Sequence, residues 1–137
     1  PEHQNLIALA HELEIAEALT FLGAIPDAEV KAEYAHADMF CLPSVQEGFG
    51  IVFLEAMAAG LPVVSTTAAA IPEVVAHGET GILIPPGDVT SIAGALLVLL
   101  SNADLREQYG QAGRERVERY DWTRVTETFL REIAPLI

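Results

Sequence analysis

Residues 43–60, PSVQEGFGIVFLEAMAAG, constrain the fold of this chain more than any other segment. A turn bracketed by glycines, Glu47-Gly48-Phe49-Gly50, leads into the apolar run 51–59, which predicts a helix, and Gly60 follows as its stop signal. A helix N-terminus presents unpaired backbone N–H groups and the positive end of the helix dipole. A glycine-rich turn at this position therefore suits phosphate or sugar oxygens.

Short apolar runs and helical patterns alternate along the chain. Buried strands are predicted at residues 19–22, 39–42, 62–66 and 82–84. Helices are predicted at about 2–15, 28–36, 51–59, 89–100, 103–120 and 122–133, and residues 71–73 are predicted to start a further helix of one or two turns. This order predicts one α/β domain over residues 1–137, with a Rossmann-like parallel sheet flanked by helices and a helical C-terminal segment. Because the chain starts on a helix, we expect the domain to be incomplete at its N-terminus.

The loops after the predicted strands form one edge of the sheet. In open parallel sheets, ligands bind beyond the carboxyl ends of the strands. The loops at that edge are residues 23–27, 43–50, 65–70 and 85–88. Asp27 and Asp88 are expected to cap the helices that follow the first and last of them. The glycine turn belongs to this edge, as a ligand-binding turn would.

Charge is distributed unevenly along the chain. Residues 1–105 hold 14 acidic residues against Lys31 alone, and residues 106–137 hold six acidic residues and six arginines. The net charge of −13 argues against a nucleic-acid surface, which needs clustered cations. A phosphate ligand of the first 105 residues would depend on backbone amides, or on cations from outside the chain.

Membrane spans, disulfides and metal sites are not predicted. No apolar run approaches the roughly 18 residues that cross a bilayer. The single Cys41 excludes an internal disulfide and gives no metal cluster, and the four histidines lack the spacing of a metal site or a catalytic triad. A cytoplasmic location is the expectation.

Glu47 allows two interpretations. It completes a capping box with Ser44, which would make it a helix-start residue only. A helix that began at Val45 would, however, carry Gly48 and Gly50 in its first turns, where each glycine costs about 0.5–1 kcal/mol relative to alanine. Glycines are better suited to a sharp turn or a close approach to a ligand, so contact between Glu47 and a ligand stays open beside the capping box.

Glu55 is the one charged residue of an otherwise apolar helix that we expect to be packed on most of its surface. Its carboxylate therefore needs hydrogen-bond donors. A bound polyol such as a ribose would supply them, as would a neighbouring loop or a solvent-exposed helix edge. Phe49 is either a hydrophobic plug or a ring that anchors the turn while its amide contacts a ligand.

The arginines cluster near the C-terminus and alternate with acids at helical spacing, which favours a solvated face of local ion pairs. They are Arg106, Arg114, Arg116, Arg119, Arg124 and Arg131.

Taken together, these motifs resemble the C-terminal, nucleotide-sugar-binding domain of the family 4 retaining glycosyltransferases, which have the two-domain GT-B architecture. The resemblance covers nearly the whole chain, and its centre is the family's Glu-x7-Glu motif, from Glu47 to Glu55. Further matching runs are Phe21-Leu-Gly23, Ala37-Asp-Met-Phe-Cys-Leu-Pro-Ser44, Ile71-Pro-Glu-Val-Val75, Gly78-Glu-Thr-Gly81, Pro86-Gly-Asp88 and Tyr120-Asp-Trp122.

The resemblance implies a role for each site residue. Glu47 is the catalytic-site carboxylate that bonds the hydroxyls of the donor sugar near the reacting carbon, and Glu55 takes the ribose hydroxyls. The backbone from Gly23 to Ile25 meets the base. The remaining donor contacts are amides: Gly48, Phe49 and Gly50 to the sugar, and Ile51 and Val52 to the diphosphate. No metal or cofactor is implied, because the nucleoside diphosphate sugar, for example a UDP-sugar, is itself the donor substrate.

The chain departs from the family pattern in three ways. The family's Arg and Lys clamp on the diphosphate and its N-terminal acceptor domain would both precede Pro1. Ala69-Ala70 stands where the family often has a glycine pair, which puts a close ligand approach there in doubt. The family's last helix packs on the missing domain, so self-association through an exposed apolar face is expected here.

The sequence thus predicts the donor-binding portion of a retaining glycosyltransferase, a hexosyltransferase whose acceptor is unknown, and an isolated chain without transferase activity. The parent enzyme is expected in the cytoplasm, with a peripheral position at the inner membrane face left open. Two other functions stay open: a non-catalytic module that binds nucleotides or sugar phosphates, and a self-associating assembly unit that binds nothing.

Overall fold

The computed structural model describes residues 2–121 together with Thr123, Thr126 and Arg131. Two compact units, residues 1–31 and 32–137, make up the chain. The predicted last helix, residues 122–133, lies outside the described residues except for those three positions.

The first unit is built mainly from α1 (Glu2–Glu12), a 3₁₀ turn (Ala16–Ala18) and the start of α2 (Asp27–His36), which runs across the boundary between the units. The buried Ala10 accepts from Ile15 N–H at 2.9 Å, which closes the end of α1. The Asp27 prediction is off by one residue. Asp27 is already helical, and the Pro26 carbonyl accepts from Glu29 N–H at 2.9 Å.

The strand predicted at residues 19–22 is wrong. These residues are in no strand, and the side chains of Leu19, Phe21 and Leu22 are 44%, 40% and 46% exposed. The physical reason is that a strand is stabilised by a neighbouring backbone as well as by its apolar residues. No ladder pairs these residues with another part of the described chain.

The second unit contains a parallel three-stranded sheet in the order β1-β2-β3: β1 (Phe40–Cys41), β2 (Val63–Thr66) and β3 (Gly81–Ile84). Phe40 pairs with Val63, and Val64 pairs with Ile82. The other three predicted strands and their parallel pairing are therefore confirmed. The predicted burial is wrong for β1, where Cys41 is exposed, because β1 pairs within the described chain only with β2.

The helices of this unit match the predicted segments, and 3₁₀ turn Glu118–Tyr120 continues the last of them. They are α3 (Ile51–Ala59), α4 (Ile71–Val74), α5 (Val89–Leu100) and α6 (Ala103–Val117). Asp88 caps α5 as predicted, since its Oδ1 accepts from Ser91 N–H at 2.9 Å. Asn102 caps α6 in the same way, through Leu105 N–H at 3.0 Å. These side chains satisfy backbone donors that a helix leaves unpaired at its start.

Strand β2 lies at the centre of the core, and all four of its residues are buried. Successive side chains of a strand point to opposite faces of the sheet. Val63 accordingly packs with α3 and α4 through Phe53, Met57 and Ile71. Val64 packs with α5 and α6 in a second cluster, which contains Ala95, Leu99 and Tyr109. Helices thus cover β2 on both faces, as the α/β prediction requires.

Helices α3 and α6 pack closely because glycines lie between them. Gly60 ends α3 with φ +84°, and its N–H donates to the carbonyl of Met57 at 2.9 Å. A Cβ atom at Gly110 would overlap the carbonyl oxygen of Gly60, and one at Gly113 would lie 3.2 Å from Met57 Cβ. The absence of side chains at these two positions of α6 therefore allows the observed approach.

Three arginines of α6 contact the C-terminal carbonyls of three other helices. Arg106 Nη1 donates to Leu99 O of α5 at 2.7 Å. Arg114 Nη2 donates to Ala59 O of α3 at 3.0 Å. Arg116 Nε and Nη2 donate to Val74 O and Glu73 O of α4 at 2.6 and 2.7 Å.

These contacts correct the prediction of a solvated, locally paired arginine face. A guanidinium suits a helix C-terminus because that end carries unpaired carbonyls and the negative end of the dipole. These three side chains donate to main-chain atoms, and Arg106 also forms an ion pair at 3.4 Å with Asp38, which lies in the loop between α2 and β1.

Within the described residues, no single helix is long and apolar enough to cross a membrane. One pair of helices, Val89–Leu100 and Ala103–Tyr120, is long and apolar enough when taken together, but a bend of 99° separates the two.

The cap of α5 gives a prediction about pH. The Asp88 pKa lies below its ordinary value because the Ser91 hydroxyl and the N–H groups of Ser91 and Thr90 donate to its carboxylate, which outweighs the opposing effect of burial. A carboxyl whose folded pKa is lowered stabilises the fold above its unfolded pKa of about 3.9, and this contribution is lost as pH falls through the folded value. We expect Asp88→Ala to unfold at lower urea than the wild type at pH 7, with the difference shrinking below about pH 4.

The matched control is Asp88→Asn, which keeps an acceptor oxygen at the cap but cannot titrate. Its urea midpoint should vary less with pH than that of the wild type. If Asp88→Ala lowered the urea midpoint by the same amount at pH 7 and in acid, the ionised Asp88 carboxylate would not be what stabilises the start of α5.

Candidate functional site

The loop after β1 is fixed to the end of β2 by two buried hydroxyls. Ser65 Oγ donates to the carbonyl of Leu42 at 2.7 Å, and Thr66 Oγ1 donates to the carbonyl of Ser44. Both Ser65 and Thr66 are fully buried. The chain therefore leaves β1 from a defined position before it enters the glycine turn at the carboxyl edge of the sheet.

Glu47 lies in the turn before the helix and is half-buried. Its Oε1 accepts from the N–H of Gly48 at 3.1 Å, while the Ser44 hydroxyl donates to the Gln46 carbonyl at 2.9 Å. The capping-box interpretation is wrong, because α3 begins only at Ile51 and Ser44 makes no cap for it. Glu47 is a residue of the turn, and its carboxylate lies next to the start of α3.

The N-terminus of α3 has no side-chain cap among the described residues, unlike those of α5 and α6. Gly50 is the N-cap, with φ +75°, and its carbonyl accepts from Phe53 N–H at 2.9 Å. A Cβ atom at Gly50 would meet the ring of Phe53, so glycine fits this position in both conformation and space. The N–H groups of Ile51 and Val52 belong to the first turn, where a helix has no acceptor of its own.

Glu55 lies on an exposed stripe of α3 with Ile51 and Ala58, three and four residues apart. The expectation that α3 is packed on most of its surface is wrong for this stripe, although Phe53 and Met57 on the other side are fully buried. The Tyr34 hydroxyl donates to Glu55 Oε2 at 3.4 Å. The carboxylate is thus accessible to a ligand and has one protein donor, which the sequence analysis missed.

Phe49 is 53% exposed, which does not fit a hydrophobic plug. Its ring meets that of Tyr120 edge to face, with centroids 5.8 Å apart. The Tyr120 hydroxyl in turn donates to the Glu73 carbonyl at 2.8 Å. The geometry favours the other interpretation, in which the ring anchors the turn.

Gly23 and Ile25 belong to the first unit, whereas the other predicted site residues belong to the second. Gly23 is exposed with φ +66°, a conformation that favours glycine, and Ile25 is half-buried.

The loop after β2 contains the alanine pair of the sequence analysis. Ala69 has φ +50°, the left-handed region in which side chains are unfavourable. The backbone thus keeps a glycine-like conformation at this position although the residue is alanine.

The described part of the chain holds no group of three or more His, Cys, Asp or Glu side chains arranged to bind a metal ion. A groove of about 780 Å³ runs along α3 and α6 and is lined by Leu54, Ala58, Arg114, Val117, Glu118, Tyr120 and Asp121. None of the predicted site residues is in that lining, so the groove and the uncapped end of α3 are different places.

Comparison with known proteins identifies the family. The chain matches the sequence model of the family described as "Glycosyl transferases group 1" over residues 1–116. The chain belongs to this family. The prediction from the Glu-x7-Glu motif, a glycosyltransferase family with the GT-B fold, is therefore confirmed.

Two curated relatives illustrate the similarity. A phosphatidyl-myo-inositol mannosyltransferase of Mycobacterium leprae (strain TN) is 46% identical over 118 residues, which cover 85% of this chain and 32% of the mannosyltransferase. A sulfoquinovosyl transferase of Arabidopsis thaliana is 42% identical over 109 residues, which cover 77% of this chain and 21% of the transferase. The chain thus spans a third or less of the length of these relatives.

Solved structures of the same fold agree. Sucrose-phosphate synthase from Thermosynechococcus elongatus superposes with a TM-score of 0.86 at 30% identity, covering 98% of this chain and 34% of the synthase. The C-terminal domain of a glycosyl transferase group 1 family protein from Francisella tularensis gives a TM-score of 0.77 at 32% identity, covering 85% of this chain and 60% of that domain structure. The fold of the chain corresponds to that C-terminal domain.

Proposed function

We propose that the chain is the donor-binding portion of a retaining hexosyltransferase that takes its sugar from a nucleoside diphosphate sugar. The observation that carries the proposal is the uncapped N-terminus of α3 with one carboxylate on each side of it, Glu47 in the preceding turn and Glu55 one turn into the helix. Membership of the glycosyl transferases group 1 family supports it.

In this proposal, the diphosphate binds at the start of α3. The N–H groups of Ile51 and Val52 point along the helix axis with the positive end of the dipole, and the 64% exposure of the Ile51 side chain shows that this end is open. As the bond to the sugar breaks, negative charge grows on the diphosphate. Backbone donors already in position stabilise that charge without reorganising.

The sugar is assigned to the turn. Glu47 uses Oε1 for the N–H of Gly48 and has Oε2 for a sugar hydroxyl near the reacting carbon. The amides of Gly48, Phe49 and Gly50 lie in the same turn, and the Phe49 ring leans on Tyr120 instead of filling it. Glu55 accepts from the ribose hydroxyls, and the backbone of residues 23–25 meets the base. By the family resemblance, sugar transfer in this arrangement uses neither a metal ion nor a cofactor.

The diphosphate depends on amides because cations are scarce here. Residues 43–60 contain no Lys or Arg, and Arg106, Arg114 and Arg116 bind main-chain carbonyls. We therefore expect weak donor binding and no sugar transfer by the 137 residues alone. By the family resemblance, the acceptor domain and the cationic clamp on the diphosphate lie in other parts of such enzymes. We propose a parent enzyme in the cytoplasm. Relatives named for phosphatidylinositol, a membrane lipid, support a peripheral position of that enzyme at a membrane face.

The base is left to experiment. A relative from Mycobacterium tuberculosis (strain CDC 1551 / Oshkosh), 39% identical over 124 residues, is named as GDP-mannose-dependent. A fold neighbour from Anabaena, with a TM-score of 0.86, was solved in complex with UDP. Uridine and guanosine donors are therefore both candidates, and an adenosine donor serves as a third comparison.

The test is an NMR titration of the chain with UDP-, GDP- and ADP-sugars. One of the three is expected to shift the amides of Gly48, Gly50 and Glu55, and Glu55→Ala should weaken its binding about tenfold, because a charge-assisted hydrogen bond contributes about 1.5–3 kcal/mol. Glu47→Ala should weaken binding of the sugar nucleotide more than that of the free nucleotide.

The matched control is Glu79→Ala, which removes an exposed glutamate from the turn before β3, at the opposite edge of the sheet. It should leave the affinity unchanged. A folded chain that shows no shifts with any of the three donors at millimolar concentration would contradict donor binding by this chain.

A further inference from the structure

Tyr34 lies beside one of the two site carboxylates. Its hydroxyl is 3.4 Å from Glu55 Oε2, and 21 residues of sequence separate the two. The distance is long for an O–H···O bond, whose usual range is about 2.5–3.0 Å. Bonds of this kind often tighten only when a ligand closes the site. Tyr34 is thus within hydrogen-bonding reach of Glu55, and this bond can shorten when a ligand binds.

The ring of Tyr34 is held by an aromatic column that consists of Tyr34, Phe40 and Phe53. Ring centroids are 5.9 Å apart between Tyr34 and Phe40 and 6.0 Å apart between Phe40 and Phe53. Phe53 is fully buried, and its ring also lies against Gly50 at the start of α3. The position of the Tyr34 hydroxyl is therefore set by the same core side chain that supports the glycine turn.

The hydroxyl acts as a donor at neutral pH. Burial raises the pKa of Tyr34, and the negative charge of Glu55 and the hydrogen bond to it raise the pKa further. A carboxylate offers about four lone-pair sites on its two oxygens. One bond from Tyr34 therefore restrains Glu55 and still leaves acceptor sites for both hydroxyls of a ribose.

We propose that Tyr34 is a positioning residue for Glu55, whose carboxylate it holds on the exposed stripe of α3 in the orientation that accepts a ribose diol. The proposal rests on the proposed function, in which Glu55 binds the ribose. Without Tyr34, an exposed glutamate on a helix samples several rotamers, and the ligand would have to select one of them.

The test compares ligands with and without the diol. UDP and GDP are each titrated beside their 2′,3′-dideoxy analogues into the wild-type chain and Tyr34→Phe, with affinities from NMR shifts. Tyr34→Phe should weaken binding of the ribose nucleotide about three- to tenfold, the range of one hydrogen bond, and leave the dideoxy nucleotide unchanged. Tyr109→Phe, the same change at a core tyrosine of α6, is the matched control and should alter neither affinity.

The outcomes separate the two proposals. If Glu55→Ala weakens ribose binding and Tyr34→Phe does not, the role of Tyr34 is overturned and the proposed function stands. If Tyr34→Phe weakens both nucleotides equally, its effect is general packing, and the positioning role is overturned. If neither variant distinguishes ribose from dideoxyribose, the ribose role of Glu55 fails, and the inference fails with it.

Discussion

Gly110→Ala is expected to lower the free energy of unfolding of the chain by about 3 kcal/mol, the upper part of the usual range for overpacking. The added methyl group would overlap the carbonyl oxygen of Gly60, a backbone atom that cannot turn away as a flexible side chain can. Either α6 moves away from α3 or the C-terminus of α3 distorts, and both changes loosen the core around Met57. Urea unfolding followed by circular dichroism measures the loss.

Gly94→Ala is the matched control for this substitution. Gly94 lies inside α5, and a Cβ atom there would meet nothing within 4 Å. Alanine is about 1 kcal/mol better than glycine inside a helix, so this variant should be equal to or more stable than the wild type. Equal urea midpoints for Gly110→Ala and the wild type would show that the two helices do not approach as closely as described.

Arg116→Met should lower the free energy of unfolding by about 2–3 kcal/mol, since hydrogen bonds to a charged group contribute about 1.5–3 kcal/mol. Methionine keeps much of the aliphatic stem and removes the donors that bind Val74 O and Glu73 O. The four-residue helix α4 should suffer most, because its C-terminal carbonyls then lose these partners. Relative to the wild type, the variant should show a larger increase in amide hydrogen exchange in α4 than in β2.

Arg119→Met is the control for Arg116→Met. Arg119 is exposed in the turn after α6, and the structure records no hydrogen bond or ion pair between its side chain and the described residues. Its replacement should change stability by no more than about 0.5 kcal/mol. If the two variants were equally stable, the contribution assigned to the carbonyl contacts of Arg116 would be wrong.

The parts of the fold that the sequence predicted depend on neighbouring residues. Gly50 and Gly60 bound α3, Asp88 begins α5, and Asn102 begins α6, each through groups within a few positions along the chain. The predictions that failed depend on distant residues. The apolar run at residues 19–22 has no strand partner in the described chain, and Arg114 and Arg116 reach carbonyls 55 and 42 residues away.

The candidate site divides in the same way. Glu47, Gly48 and Gly50 were recognisable because a glycine turn before an apolar helix has a local pattern, and the structure shows that the capping box competing with it does not form. The sequence left the exposure of Glu55 open between a ligand site, a neighbouring loop and a solvent-exposed helix edge, because it depends on which side of α3 meets the sheet. Tyr34 was missed because no spacing rule connects it with Glu55, 21 residues later.

The arginine contacts of α6 also relate to the order in which the segments of this domain are synthesised. The sheet has all its described strands once Ile84 has been synthesised, but the donors to the ends of α3 and α4 are Arg114 and Arg116. Synthesis proceeds from the N-terminus, and domains tend to fold as units. A nascent chain that stops before α6 lacks these donors to the terminal carbonyls of α3 and α4. The two helices can therefore gain their C-terminal partners only after α6 has been synthesised.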